Sequence, residues 1–381
     1  MKTAIWFCLM TVPFLSMAQE DEAPKFTTHG YIKDMATFNF IGKDHTQIDN
    51  LIHHRLNFAW FPTKYLTGKL EFRTRVFHGD QLRIIPDYGS FIDVNNDYFD
   101  WSYMPVNNSK TVIHSMIDRF YVQWNKNDWE ITAGRQRINW GVNLAWNPND
   151  LFNTYSFFDF DYEERPGSDA LRIRKYTGFA SEVEFAIKMA DNLEDLTAAF
   201  RYQFNKCNYD IQFLAGLMEK NLTIGTGWAG NLSNAGFKGE ITYLNNPDAG
   251  EDGLLASATV DYSFANSLYL NGAFLYSSFG AKDPTAFVVD TRSNLNIQSL
   301  SPYRWSTFIQ ASYPIHPLVN LGLSNIFFPS DGSVFLNPFI TYSIKENFDL
   351  DLISQLYFGD NLKGKYDALA KVVYLRVKWS Y

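Results

Sequence analysis

The arginines Arg55, Arg73, Arg75, Arg119, Arg135, Arg137, Arg172, Arg174 and Arg201 lie in segments of alternating character, and the acids Asp150, Asp159, Asp161, Glu163 and Glu164 crowd one stretch between two such segments. Guanidinium groups stay charged and present fixed forks, so a wall of them facing carboxylates would set a transverse field across a narrow aqueous passage. That chemistry sorts solutes by charge and size. A plainer reading stands beside it: the same arginines pair with Glu71, Glu182 and Glu184 and keep a wet interior satisfied.

Nothing selects a catalytic site. Ser, His and Asp occur without a nucleophile elbow or a triad spacing. His53 and His54 are adjacent and point to opposite faces of a strand, a poor geometry for one metal; His29, His45, His78, His114 and His316 are scattered. No metal or cofactor is implied. The acidic run Asp93 to Asp100 reads as a solvated loop before a calcium site, and Asn107-Asn108-Ser109 is a formal glycosylation pattern only.

The elements that would carry these residues are β-strands. Ile48, Ile52, Leu56, Phe58 and Trp60 share one face while Asp49, His53, Arg55 and Asn57 share the other. The same period of two places Leu66, Leu70, Phe72 and Val76 opposite Lys69, Glu71, Arg73 and Arg75, and recurs over Leu196 to Phe204 and Leu254 to Phe264. These runs are longer than the roughly 5–6 residues of a globular strand and suit a tilted membrane strand.

Connections alternate between tight turns, such as Asn125 to Asp128 and Lys345 to Asn347, and the long segments Asp80 to Thr111, Asn139 to Asp169 and Gly280 to Tyr303. Sorting short turns to one rim and long loops to the other belongs to a transmembrane barrel. Trp60, Trp124, Phe204, Phe264 and Tyr313 fall at the short-turn rim, where an interfacial girdle is expected. About eighteen strands are expected; sixteen is the alternative, because Leu171 to Tyr176 and Asn221 to Gly230 read weakly. Arg135 and Arg137 share the parity of Trp129, Ile131 and Ala133, so a β-bulge near Gly134 is expected to turn them inward, with inward Trp129 and Ile131 as the alternative.

Composition agrees. Residues 1–18 read as a secretion signal, with Lys2, an apolar run from Ala4 to Leu15 and the small-x-small site Ser16-Met17-Ala18; residues 19–381 would form the barrel. Past this leader Cys207 is the one cysteine, so an internal disulfide is excluded. The net charge of −8 argues against a nucleic-acid partner. A mean hydropathy of −0.23 is compatible with a barrel, which shows lipid only every second side chain. The chain is too short to add a large plug to a barrel of roughly 22 strands.

In the last strand Val373, Leu375, Val377, Trp379 and Tyr381 alternate with Tyr374, Arg376, Lys378 and Ser380. It resembles the C-terminal strand of Gram-negative outer-membrane barrels, which implies recognition by the barrel-assembly machinery through Tyr381. Gly134-Arg135-Gln136-x-Ile138-x-Trp140-Gly141, then Asn147-Pro148-x-Asp150-Leu151-Phe152-Asn153 and Arg165-Pro166-Gly167-x-Asp169-Ala170-Leu171-Arg172, is similar to segments of porin-like barrels of the alginate-export and phosphate-selective type. The resemblance implies a transport barrel in the outer membrane, surrounded by lipid, and names no substrate.

The reading that follows is an all-β transmembrane antiparallel barrel whose loop from Asn139 to Asp169 folds inward as a constriction. It would be a passive channel for small hydrophilic solutes, anionic or sugar-like if the arginines set selectivity. Rivals are a polysaccharide export or surface-assembly barrel, with Phe77, Tyr121 and Tyr374 as aromatic platforms, and an outer-membrane hydrolase with His and Ser at the lipid-facing rim. The oligomeric state stays open, a homo-oligomer among the alternatives.

Overall fold

The computed structural model describes residues 24–42, 45–93, 95, 97–154, 161, 163–245, 252–281, 296–360 and 364–381. The leader expected over 1–18 lies outside the described residues. The strands are β1 (Phe26–Ile41), β2 (His45–Thr63), β3 (Leu66–Gly79), β4 (Ser102–Asn107), β5 (Thr111–Lys126), β6 (Trp129–Gln136), β7 (Ser168–Gly178), β8 (Ser181–Lys188), β9 (Thr197–Lys206), β10 (Tyr209–Met218), β11 (Asn221–Leu232), β12 (Ala235–Asn245), β13 (Gly253–Ser263), β14 (Tyr269–Ser277), β15 (Trp305–His316), β16 (Val319–Phe328), β17 (Ser333–Lys345), β18 (Phe348–Asp360) and β19 (Tyr366–Ser380). Two short helices, α1 (Gln81–Ile84) and α2 (Tyr88–Ile92), lie in the β3–β4 connection.

Every pairing between strands is antiparallel, and β1 bonds both β2 and β19, so the sheet closes. Eighteen strands form the wall, because β3 pairs directly with β5 while β4 is an extra strand on the far side of β5. Closure matters physically, since lipid offers no partner for an open edge. Both weakly patterned segments are wall strands, Leu171 to Tyr176 in β7 and Asn221 to Gly230 in β11, which removes the sixteen-strand alternative. Tyr381 sits beside the first wall strand: Gly30 N–H donates to the Tyr381 carbonyl at 3.0 Å and Tyr381 N–H to the Gly30 carbonyl at 2.9 Å.

Outward positions carry exposed apolar side chains around most of the wall, among them Phe200, Phe213, Ile224, Val260 and Ile309, each more than 45% exposed. Water would not tolerate such a belt, but bilayer hydrocarbon does. Trp60, Trp124, Phe264 and Tyr313 stand exposed at the short-turn rim. Inward positions hold His53, Arg55, Arg73, Glu184 and Arg201, all buried.

The parity conflict at Arg135 resolves differently from the expected bulge. The β5–β6 and β6–β7 ladders run without a register shift as far as Phe120↔Arg135 and Gln136↔Ser168. Gly134 instead adopts φ +114°, where a Cβ would meet the Phe120 carbonyl oxygen at 2.3 Å, so only glycine fits this bend. The bulge lies on the neighbouring strand, where Glu71↔Arg119 is followed by Phe72↔Ile117 and Asp118 is the extra residue. Arg135 therefore keeps the outer parity of Trp129 and Ala133. It fills the seam where β6 leaves the wall, gripping Asp169 through Nε at 2.9 Å and Nη2 at 2.8 Å and donating to the Phe99 carbonyl. Beyond this seam β4 continues the wall beside β5, with Ser102↔Met116, and the chain after Gln136 is free to turn inward.

Candidate functional site

The inward connection between β6 and β7 has two legs. The first, residues 138–154, lies against the lumen side of β7 to β16. Ile138, Trp140, Leu151 and Phe152 pack on Ala170, Ala186, Ala199, Leu214, Met218, Leu244 and Leu255, and Ala145 and Trp146 pack on Leu275, Phe308, Ile326 and Phe328. Polar anchors fix its height. Glu240 of β12 accepts backbone N–H bonds from Val142 at 2.6 Å, Asn143 at 3.1 Å and Asn149 at 2.8 Å. Trp140 Nε1 donates to Glu184 of β8 at 2.8 Å, and Gln212 of β10 donates to the Trp140 carbonyl at 2.7 Å. Asn149 donates to the Thr226 carbonyl of β11 and accepts from Thr242 of β12.

The second leg, Asp161 and residues 163–167, lies on the opposite wall. Asp161 meets Lys33 of β1 at 2.8 Å, His53 of β2 at 3.2 Å and Arg376 of β19 at 3.4 Å. Glu163 pairs with Lys378 at 2.8 Å, and Glu164 accepts from Tyr31 at 3.0 Å and approaches Arg55 at 3.5 Å. Arg119 clamps the backbone, donating to the carbonyls of Glu164 and Arg165 at 2.9 and 2.7 Å.

The two legs also titrate in opposite senses. Burial pushes the Asp150 carboxyl up to about 8, with the Arg137 charge working against the rise and Glu240 adding to it. Burial acts on Asp161 in the same direction, but the His53 hydrogen bond and the Lys33 charge overcome it and hold its carboxyl well below the usual range.

The arginines fall into two balanced groups. Arg55 pairs with Glu71 and Asp118, and Arg73 approaches Asp118 at 3.5 Å. Arg75 bonds His114 at 3.0 Å, and His114 in turn bonds Asp93 at 2.9 Å. On the other wall Arg172 bonds Glu130 at 2.7 Å, Arg174 bonds Glu184 at 2.8 Å, and Arg201 bonds both Glu182 and Glu184. The pairings with Glu71, Glu182 and Glu184 follow the plainer of the two readings, and the expected wall of arginines facing the loop acids is revised in three places. Arg135 sits in the seam. Arg137 lies beyond the end of β6 and bonds Asn139 at 3.2 Å. Asp150 is buried in the first leg, away from the arginine wall, while Asp161, Glu163 and Glu164 touch their cations directly. Asp159 lies outside the described residues.

Residues that matter here and went unnoticed in the sequence include Glu240, Gln212, Lys33 and Asp118. Two signals were present. At Ala198-Ala199, Phe213-Leu214, Tyr243-Leu244 and Leu254-Leu255 the alternation breaks because both faces are apolar, which marks where the first leg packs inside. The glycines that weakened β11 are the second: a Cβ at Gly225 or Gly227 would lie 2.6 or 2.9 Å from the Asn149 side chain, so the strand is bare where the loop approaches. Phe77, expected as an aromatic platform, is buried instead among Leu82, Tyr88 and Val112 beneath the β3–β4 connection. Among the described residues, none of the hydrogen bonds made by His53, His54, His78, His114 or His316 involves a serine hydroxyl.

In solved structures the barrel is similar to OccAB3 of Acinetobacter baumannii, with a TM-score of 0.58 and 12% identity over 93% of this chain and 99% of that one. It is similar also to OccAB4 of the same organism, with a TM-score of 0.58 and 10% identity over 94% and 98% of the two chains. OpdQ of Pseudomonas aeruginosa gives a TM-score of 0.56 and 7% identity over 94% and 99%. No protein-family model matches the chain, and no curated protein matches it. At such identities the likeness is one of fold: a transmembrane barrel of the Gram-negative outer-membrane porin type.

Proposed function

We propose that the protein is a passive outer-membrane channel for small hydrophilic solutes, constricted by the connection from Asn139 to Asp169. The observation that carries this reading is the seating of that connection on both sides of the bore, on Glu240 and Trp140's partners at one wall and on Lys33, Arg55 and Arg376 at the other. A porin-type fold with polar inward faces supports the same conclusion. Because the lumen arginines are matched by carboxylates, the net field is small. Sorting then rests on size and on hydrogen-bond exchange with the paired groups, which suits neutral, sugar-like solutes better than a strict anion filter.

The purified protein, reconstituted into planar bilayers, is expected to give discrete conducting steps with a reversal potential near zero across a potassium chloride gradient. Liposome swelling should fall with sugar size. Absence of steps and of swelling overturns the channel. Strong selectivity for either ion overturns the balanced wall.

A further inference from the structure

Between the first leg and the short-turn rim, the lumen face of β14 to β19 is lined by neutral groups. Where that leg packs, register aligns Ala273, Phe308, Ile326, Phe335 and Tyr357 across β14 to β18, an apolar row beneath Ala145 and Trp146. Two residues nearer the short turns the row becomes polar, with Asn271, Gln310, Ser324 and Asn337 aligned across β14 to β17. The next row is Tyr269, Ser312, Gly322, Phe339, Ile353 and Tyr374, which sets aromatic rings on β14, β17 and β19. Phe339 lies along the wall, its ring tip covering Gly322 of β16, where a Cβ would collide with it. Tyr374 leans over β18 in the same way, its hydroxyl donating to Gln355 Oε1 at 3.1 Å. Asn271 donates to the Tyr269 hydroxyl at 3.3 Å. All three rings are half-buried and keep a flank toward the bore. Among the described residues the Gln310 amide has no hydrogen-bond partner and Asn271 Oδ1 has no donor. The charges that border the two rows are paired, Asp261 with Lys238 at 3.7 Å beside β14 and Arg376 with Asp351 at 3.0 Å beside Tyr374.

An amide offers a donor and an acceptor at one point, and an aromatic flank takes apolar C–H surface. A solute that needs both side by side, and carries no charge, is a saccharide: its ring edges are hydroxyls and its faces are C–H. We propose that the lumen face of β14 to β19 is a binding site for a neutral saccharide, with the Phe339 and Tyr374 rings against its C–H faces and the Gln310 amide and Asn337 Oδ1 on its hydroxyls. This deepens the channel reading, on which it rests, by adding a saturable site beside the constriction. Phe339 and Tyr374 are two strands apart, about 10 Å, and Tyr269 and Phe339 three, about 14 Å, so a chain of sugar units spans the rings and a single hexose does not. Because barrel strands tilt, a row across them also climbs the bore. Tyr269 directly follows the short turn before β14, whereas Tyr374 stands well up β19. The site therefore leads from the short-turn mouth toward Arg376, which holds Asp161 of the second leg.

Titration calorimetry of the detergent-purified barrel with maltotriose and cellotriose reads binding without any need for conduction, and planar bilayers with the same sugars read block of the ion current. Saturable binding of at least one trisaccharide is expected, with the current falling to a plateau at the same half-saturation. Polyethylene glycol of similar size should lower the current without a plateau; a plateau there too would mark plain steric block and overturn the site. Phe339→Ala should raise the dissociation constant about tenfold, the worth of one lost ring face, and Phe339→Tyr should restore it. Gln310→Ala should weaken binding less, and it carries the test alone if Phe339→Ala loses its conducting steps. Sugar-free conductance should stay unchanged in both, and Gln203→Ala, an amide on β9, should bind as wild type does. No saturable binding of either sugar, or binding indifferent to Phe339→Ala and Gln310→Ala, overturns the site and leaves the channel standing if conducting steps persist. Binding without conducting steps overturns the channel and keeps the site.

Discussion

Residues 138–154 of the inward loop rest on apolar wall positions and hand the backbone N–H groups of Val142, Asn143 and Asn149 to one buried carboxylate, Glu240. Asp161 and residues 163–167, on the facing wall, are instead held by cations: Lys33, Arg376, Lys378 and the Arg119 clamp. The difference is one of screening. A contact made of buried packing and dry hydrogen bonds is indifferent to salt, whereas ion pairs along a wet bore weaken as counterions enter. One leg is therefore built as a fixed ledge and the other as an electrostatic latch that answers to the medium.

The contrast breaks most directly at Glu240. Glu240→Ala takes the acceptor from the N–H groups of Val142 and Asn149, at a cost of about 1–3 kcal/mol for a group left buried without one, while Asn143 N–H keeps the Asn147 side-chain oxygen at 2.8 Å. The first leg should leave the wall and single-channel conductance should rise several-fold; unchanged conductance would show that the ledge does not narrow the path. Gly225→Val is expected to act in the same direction but less, since its side chain collides with Asn149 2.6 Å away and with Leu214. The corresponding measurement is again conductance, with the Glu240 variant as the upper bound.

On the latch side, Lys33→Met removes the closest cation of Asp161 and should weaken the second leg by about 2 kcal/mol, the worth of a hydrogen bond to a charged group. Arg376 and His53 remain, so the loss is partial. Current fluctuations in this variant should grow at any salt concentration, because the Lys33 ammonium is buried and little screened. In wild type a rise in noise at about 1 M salt, where the Debye length is about 3 Å, should come from the more open Glu163–Lys378 pair. If Glu240→Ala made the noise depend on salt and the wild-type second leg showed no such dependence, the assignment of ledge and latch would be reversed.

The smallest and most diagnostic effect is in pH. Asp150 has its carboxyl raised to about 8 in the folded chain, so its contribution is fully present below the ordinary carboxylate pKa and is lost as pH rises toward and through 8. Asp161 is depressed, so its contribution is present above the ordinary value and is lost only as pH falls through its lowered one. Alkali should loosen the first leg and strong acid the second. Asp150→Asn should flatten the alkaline limb of a conductance-against-pH curve and leave the acid limb intact.

Much of this molecule was open to inspection in the chain itself. The period of two in β2, β3 and β19, the alternation of short and long connections, and the aromatic terminus follow from side chains meeting lipid on one face and water on the other, a local constraint that writes itself into neighbouring residues. The inward loop was legible for the same reason: Asn147-Pro148-Asn149-Asp150 and the acids after it interrupt the pattern.

What the tertiary structure alone decided was partnership. Glu240 lies about a hundred residues from the N–H groups it accepts, Lys33 lies more than that from Asp161, and no spacing in the sequence joins them. The bulge was expected at Gly134 and occurs at Asp118, because a register shift belongs to the pair of strands and not to the residue that invites it. Parity says which face a side chain takes. Only closure of the barrel brings one face opposite another, and there the arginines met their carboxylates.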